Sequence, residues 1–304
     1  MTLTKSGRTG RRRPGPEGEA MPVGITQSRR SRILVLIGLV LFALYSVAPV
    51  WWLIVSATKD QQGLLYSNGL WFEDFHFFDN VQTVIEYNDG IFLRWTFNSV
   101  LYAGAGAFLC TLVSVAAGYA LSRYSFPGRN LGLGVVIGSF LLPQALLTMP
   151  LYLLFSKIGL TDTAWGVLIP FVINPFMVYL AKVYADGAIP AELLEAARMD
   201  GASEIRIFFQ VVLRLMTTGS ATIFLLSFVG NWNNFFLPLT MLRGEDKWPL
   251  SIGLYFWNAQ RTDSEIDLTT LVLTGALLSV IPLALIMLAM QRYWKSGVTL
   301  GSLK

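Results

Sequence analysis

Residues Trp95–Ser122 read WTFNSVLYAGAGAFLCTLVSVAAGYALS, 28 residues without an Asp, Glu, Lys or Arg. At 1.5 Å rise per residue, about 20 such residues cross a hydrocarbon core of roughly 30 Å. Five further stretches share the property: Ile33–Thr58, Asn130–Ser156, Thr163–Ala181, Leu215–Leu242 and Leu268–Gln291. A soluble fold could hide one such helix. Six of them in 304 residues, only 14% of which are charged, leave no polar layer to cover the rest. The chain therefore reads as all-α, a polytopic membrane protein with six transmembrane helices.

The polar residues outside these stretches set its orientation. Residues 1–32 hold eight Lys/Arg against two Glu, and Gly, Pro, Ser and Arg dominate them. Such a tail is expected to be disordered, and it anchors the first span as a positive-inside flank rather than as a nucleic-acid arm. With the N-terminus inside and six crossings, the inner segments carry 17 Lys/Arg and the outer ones 6. Both termini are then cytoplasmic. The domain layout follows: a basic tail at 1–32, a six-helix domain at 33–295 with a cytoplasmic loop at 182–206, and a short tail at 296–304.

Catalysis has little to work with. One cysteine, Cys110, and one histidine, His76, exclude a disulfide framework and a Cys/His metal cluster. No GxxxxGK[ST] or GxGxxG is present. No catalytic, cofactor-binding or metal-binding residues are expected, so uphill transport would draw its energy from a partner or an ion gradient. Span 2 is rich in Gly and Ala, which let helices approach closely in lipid. Prolines 143, 150, 170 and 175 interrupt spans 3 and 4. The outer connection Lys59–Arg94, with Trp71, Phe72, Phe75, Phe77 and Phe78, is expected to pack against the outer mouth or to dock a partner.

Between spans 4 and 5 the composition changes. Lys182–Arg214 holds nine charges interleaved with apolar residues. Pro190 suits a first helical position, and Ala191–Asp200 reads as a short helix ended by Gly201, with Asp200 or Ser203 capping the next one. Leu193, Leu194, Ala197 and Met199 are expected on one face. Glu192, Glu195 and Arg198 fall on the other, Glu195 and Arg198 forming an i,i+3 pair. Its acidic residues disfavour an anionic lipid surface, so the helix suits docking to a protein. In span 5, Phe228-Val-Gly-Asn-Trp-Asn-Asn-Phe-Phe-Leu-Pro238 holds three asparagines that lipid would penalise. They cannot all point one way; some serve as structural glue, and the solute pathway is assigned to Asn98, Asn231, Asn233 and Asn234.

The stretch Ile189-Pro-Ala-Glu-Leu-Leu-Glu-Ala-Ala-Arg-Met-Asp-Gly-Ala-Ser203 resembles the EAA loop of permease subunits of bacterial ATP-binding-cassette importers. Ala117-Gly-Tyr-Ala-Leu-Ser-Arg-Tyr-Ser-Phe-Pro-Gly-Arg129, Met149-Pro-Leu-Tyr152, the asparagine-rich turn and Arg292-Tyr-Trp-Lys-Ser-Gly297 extend the likeness to the carbohydrate-uptake branch, on the side of the second permease subunit of maltose-type transporters. The resemblance implies a type I importer permease of the bacterial inner membrane. It also implies a second homologous permease, two cytoplasmic ATP-binding subunits holding ATP and Mg²⁺, an extracytoplasmic solute-binding protein, and a sugar or sugar-like solute. Glu195 and Asp200 would orient the coupling helix, Ala196 and Ala197 would allow close approach, and Gly201 would permit the bend. Two departures stand out: Arg214 and Thr218 replace the family's prolines, and Asn234 stands where an acidic residue is more usual. The competing classes are an ATP-independent secondary transporter or channel and a membrane scaffold.

Overall fold

Exposed apolar side chains dominate the surface of the computed structural model, which describes residues 29–260 and 268–301. Leu131 and Leu146, for example, are 74% and 70% exposed. Water would penalise such a surface heavily, whereas hydrocarbon does not. Every regular element among the described residues is helical. Among the described residues, four helices are long and apolar enough to cross a membrane, and up to six spans result when each of two bent pairs counts as one.

The chain divides into two compact units, residues 1–50 and 51–304. In the first, the described residues form one apolar helix that begins at Arg29, and Ile33–Val50 are exposed along it. Residues 29–32 are thus helical, not tail; the rest of the expected tail lies outside the described residues. Helix α1 (Arg29–Ala57) continues to a well-anchored end in the second unit. There Lys59 is buried, its Nζ donating to Ser67 Oγ and the Asn68 carbonyl, both at 2.6 Å. Asn80 Nδ2 donates to the carbonyls of Ala57 and Lys59. These bonds order the outer connection, which contains α2 (Gln61–Tyr66). Its aromatics pack on one another, and Trp71, Phe75 and Phe78 remain exposed.

Helix α3 (Phe77–Arg123) is broken at residues 87–90, where Asn88, Asp89 and Gly90 all take positive φ. Its uninterrupted part, residues 91–123, is about 50 Å long at 1.5 Å per residue. Span 3 is no single rod. It consists of α4 (Arg129–Phe140) and α5 (Gln144–Lys157), bent by 104° where Pro143 stops the first helix and precedes the second. Span 4 comprises α6 (Ala164–Val172) and α7 (Pro175–Ala188). Pro175 starts α7 at a position where its missing N–H costs nothing, and Asn174 Oδ1 accepts from Met177 N.

Helix α7 runs through Lys182 and Asp186, which the sequence reading placed in the loop at 182–206. A run of charges marks where lipid ends, not where hydrogen-bonded turns end. The short helix α8 (Ala191–Met199) follows, then α9 (Glu204–Leu215), which contains a π turn at Phe208–Val212. Span 5 is α10 (Thr217–Trp232), set at 81° to α9, with α11 (Phe236–Met241) beyond the asparagine-rich break. Helix α12 (Leu250–Gln260) and the last span, α13 (Leu268–Gly301), complete the order. The helix carries residues 296–301 that the sequence reading assigned to a tail.

Three apolar clusters share α3. One gathers Tyr119, Ala181, Ala185, Leu194 and Ile207 beneath α8. Another sits at the far end around Phe92, Trp95, Trp257 and Leu268, and the third joins Tyr102 to α6 and α11. At Gly118 the α3 backbone approaches α7 so closely that a Cβ would lie 2.6 Å from Ala181 Cβ and from the Lys182 backbone N. Gly118→Ala is therefore expected to lower stability by about 1–3 kcal/mol through overpacking. Gly104→Ala, with nothing within 4 Å, should stay within about 0.5 kcal/mol. Thermal unfolding of the detergent-purified chain tests the contrast, and equal midpoints would refute close approach at Gly118.

Candidate functional site

Two polar assemblies lie at opposite ends of α3. At one end, α8 rests on the molecule through Leu194, which is buried, and Ala197, which packs on the same cluster. Pro190 stands just ahead of the first turn rather than in it. Leu193 and Met199, expected on the inward face with them, point outward instead; Met199 is 89% exposed. One buried face of a nine-residue helix is filled by Leu194 and Ala197, about 60° apart at 100° per residue. Met199 lies on the opposite side. The outward face thus carries Glu192, Glu195, Ala196 and Met199.

The helix ends in a Schellman turn. Gly201 has φ +77°, Gly201 N donates to the Arg198 carbonyl, and Ala202 N to the Ala197 carbonyl, each at 3.0 Å. Asp200 is the last helical-side residue and is exposed. Ser203, not Asp200, caps α9 by accepting from Arg206 N. Because that turn folds α9 back, Arg198 reaches Glu204 rather than Glu195. Its Nε lies 2.7 Å from Glu204 Oε1 and its Nη2 3.4 Å from Oε2. Tyr124, the residue ending α3, donates its hydroxyl to Glu204 Oε2, and the Arg198 guanidinium lies 6.0 Å from the Tyr124 ring centroid. The bonds from Arg198 and Tyr124 hold the Glu204 carboxyl below its usual range, so it is ionised.

At the opposite end, residues 243–250 contain one 3-10 turn and are held in place by side chains from elsewhere. Trp95, Asn98, Ser99 and Tyr102 occupy one face of α3. Trp95 Nε1 donates to the Glu245 carbonyl, and Asn98 Nδ2 to those of Asp246 and Trp248. Tyr102 Oη donates to the Lys247 carbonyl, and Ser99 Oγ accepts from Leu250 N at 2.7 Å. Asp162, at φ +58°, closes the latch from the other side. Its Oδ1 accepts from Arg243 N and Gly244 N, and its Oδ2 lies 2.6 Å from Lys247 Nζ. The sequence reading did not single out Asp162. The i, i+3, i+4, i+7 spacing of four hydrogen-bonding side chains on an otherwise apolar span was a usable signal for their half of the latch.

Of the four candidate pathway asparagines, Asn231, Asn233 and Asn234 share one turn, where Asn234 N donates to the Asn231 carbonyl. Asn98 is 8% exposed and its Nδ2 donates to two carbonyls of the latch. Asn233 is exposed and bonds back to the Val229 carbonyl. Asn234 Oδ1 accepts from Leu237 N at the start of α11, and its carbonyl accepts from Ser251. Asn231 lies against Gly106 of α3, its Nδ2 enclosed and without a hydrogen-bond acceptor.

Comparison with known proteins places this chain among the membrane components of transport systems. A family model described as binding-protein-dependent transport system inner membrane component matches residues 110–299. The arabinooligosaccharides transport system permease protein AraQ of Halalkalibacterium halodurans is 34% identical over 215 residues, 71% of this chain and 75% of that protein. The diacetylchitobiose uptake system permease protein NgcG of Streptomyces coelicolor is 28% identical over 88% of this chain and 87% of its own length. A chain from the crystal structure of a bacterial ABC transporter involved in import of the acidic polysaccharide alginate superposes with a TM-score of 0.76 at 26% identity. The match covers 89% of this chain and 99% of that one.

The hydrogen bond from Lys247, then those from Arg243 N and Gly244 N, lower the Asp162 carboxyl to about 2. A depressed carboxyl stabilises the folded chain above its unfolded value near 3.8 and loses that contribution as pH falls through about 2. The latch should thus be unaffected between pH 5 and 8. Asp162→Ala is expected to cost ~2 kcal/mol at neutral pH, as loss of charge-assisted hydrogen bonds does. Asp162→Asn, which keeps an acceptor for both backbone N–H groups, should cost less than about 1 kcal/mol. Thermal unfolding across pH measures both, and a wild-type advantage that faded already between pH 7 and 5 would contradict the assignment.

Proposed function

The chain belongs to the family of binding-protein-dependent transport system inner membrane components, and on that premise we propose that it is the permease subunit of an ATP-driven importer for a sugar or short oligosaccharide. Its multi-pass helical body is the membrane part. The ATP and Mg²⁺ belong to two partner subunits, and a second, homologous permease completes the conduit. An extracytoplasmic protein delivers the solute. The end bearing α8 faces the cytoplasm, and the latch at 243–250 faces outward. This orientation follows the Lys/Arg bias of the connecting segments. The sugar assignment rests on the named solutes of the relatives AraQ and NgcG.

One observation carries the coupling role: α8 is a short helix anchored on a single face, with its other face free. The paired alanines divide the work. Ala197 lets α8 sit close on its own subunit, and Ala196 lets a partner sit close on α8. Glu195 and Glu192 supply charge for recognition, and Met199 an adaptable apolar contact. Gly201 supplies a left-handed residue that other side chains adopt only at a cost of about 1–2 kcal/mol. ATP binding would draw the two ATPase subunits together, carry the docked helices with them, and switch the permease pair between outward and inward access; hydrolysis would reset it.

Ala196→Trp is expected to insert normally and unfold at the wild-type temperature, because the site is exposed. It should also reduce the co-purifying ATPase subunits by about tenfold, the loss expected for roughly 1.4 kcal/mol of binding. Glu195→Gln should leave insertion intact and separate ATP hydrolysis from uptake. Sugar uptake into liposomes by the permease pair alone, with no ATPase present, would refute the reading.

A further inference from the structure

The motion that an ATPase imparts to α8 has two routes into the membrane. Along the backbone it must pass the Gly201 turn, the π turn at Phe208–Val212 and the 81° bend at Met216 before reaching α10. Each is a place where a helix gives rather than transmits. Across space the path is shorter. Arg198 on α8 grips Glu204, Glu204 accepts from Tyr124, and Tyr124 ends α3.

The end of α3 is itself firmly seated. Tyr124 packs edge-on against Tyr119 with centroids 5.4 Å apart, and Tyr119 lies 6.3 Å from Phe208. Ser122 Oγ donates to Asp186 Oδ1 at 2.7 Å, and Arg123 Nη2 donates to the carbonyls of Ala185 and Asp186. From there residues 91–123 run without a break to Trp95, Asn98, Ser99 and Tyr102, the side chains that hold the outer latch.

Building on the coupling role proposed for α8, we infer that Glu204, held between Arg198 and Tyr124, is a positioning residue that passes the movement of α8 to α3, and that α3 carries it as a rod to the outer segment 243–250. The motor and the outer gate then communicate through span 2 rather than through span 5, although span 5 is the one joined to α8 by the chain.

The test uses the transporter assembled with its permease and ATPase partners in lipid nanodiscs. Cys110 is the chain's one cysteine and is buried, so Glu245→Cys provides an accessible thiol for an environment-sensitive fluorophore. The probe ligand is MgATP with vanadate, which needs no knowledge of the solute. The unsubstituted complex should give a fluorescence change on trapping. Glu204→Gln and Tyr124→Phe should retain the ATPase subunits at the original ratio but weaken the change by roughly 2- to 30-fold. Arg198→Lys, which keeps the charge, should retain more of the response than Arg198→Ala. The double variant Arg198→Ala/Glu204→Gln should be no weaker than the weaker single, because both remove one link. A full response in Glu204→Gln and Tyr124→Phe would overturn the inference, as would loss of the ATPase subunits in both, which would make the triad a support for docking only. No response from the unsubstituted complex would count against the coupling role of α8 itself.

Discussion

A helix in hydrocarbon must satisfy its own backbone and carry no unpaired charge. That constraint sorts this molecule. Among the described residues, the ion pairs Arg198–Glu204 and Lys182–Asp186 at one end and Lys247–Asp162 and Arg94–Asp246 at the other lie outside the uncharged runs or at their margins. What lies between has to hold by packing. The close approach of α3 to α7 at Gly118 is one expression of this, since small residues replace the hydrophobic drive that lipid removes. Both polar assemblies are built on the two ends of that one packed helix.

The spans were legible because charge exclusion is a strong signal. Their interruptions were legible only in part. Pro143 marks the 104° bend of span 3, but Pro175 opens a helix instead of kinking one. The break at Asn88, Asp89 and Gly90 lies in a polar segment where three successive positive φ values look, in sequence, like an ordinary turn. At Lys182 the first charge falls short of the helix end at Ala188, because a helix continues into water as long as its turns are bonded.

At α8 the sequence yielded the helix, its stop at Gly201 and two candidates, Asp200 and Ser203, for the cap of the next helix, all local features. It misplaced Arg198 because i,i+3 spacing considers one helix at a time. The Schellman turn folds the next helix back, and Glu204 then offers both carboxylate oxygens alongside the Tyr124 ring. A fork on two oxygens is better geometry than an exposed pair along one helix. The same limit applies at the latch. Half of it was written as a stripe on α3, whereas Asp162 enters from a loop 81 residues before Arg243 and carries no local pattern at all.

Arg214 and Thr218 stand where the resemblance drawn from the sequence leads one to expect prolines, so they test which features this fold needs. Proline bends a helix by removing a donor and crowding the preceding turn. Here the chain still turns by 81° at Met216, whose side chain is buried. The π turn at Phe208–Val212 shifts the bonding register just before it, and Gly219 just after it admits the Tyr184 ring, with a Cβ there only 2.8 Å from the ring. The bend is therefore held by tertiary packing on the cluster beneath α8 rather than by local backbone chemistry. A joint held by packing can respond to movement of what it packs against. In this chain that is the lower end of α3 and α7, the same surface on which α8 rests.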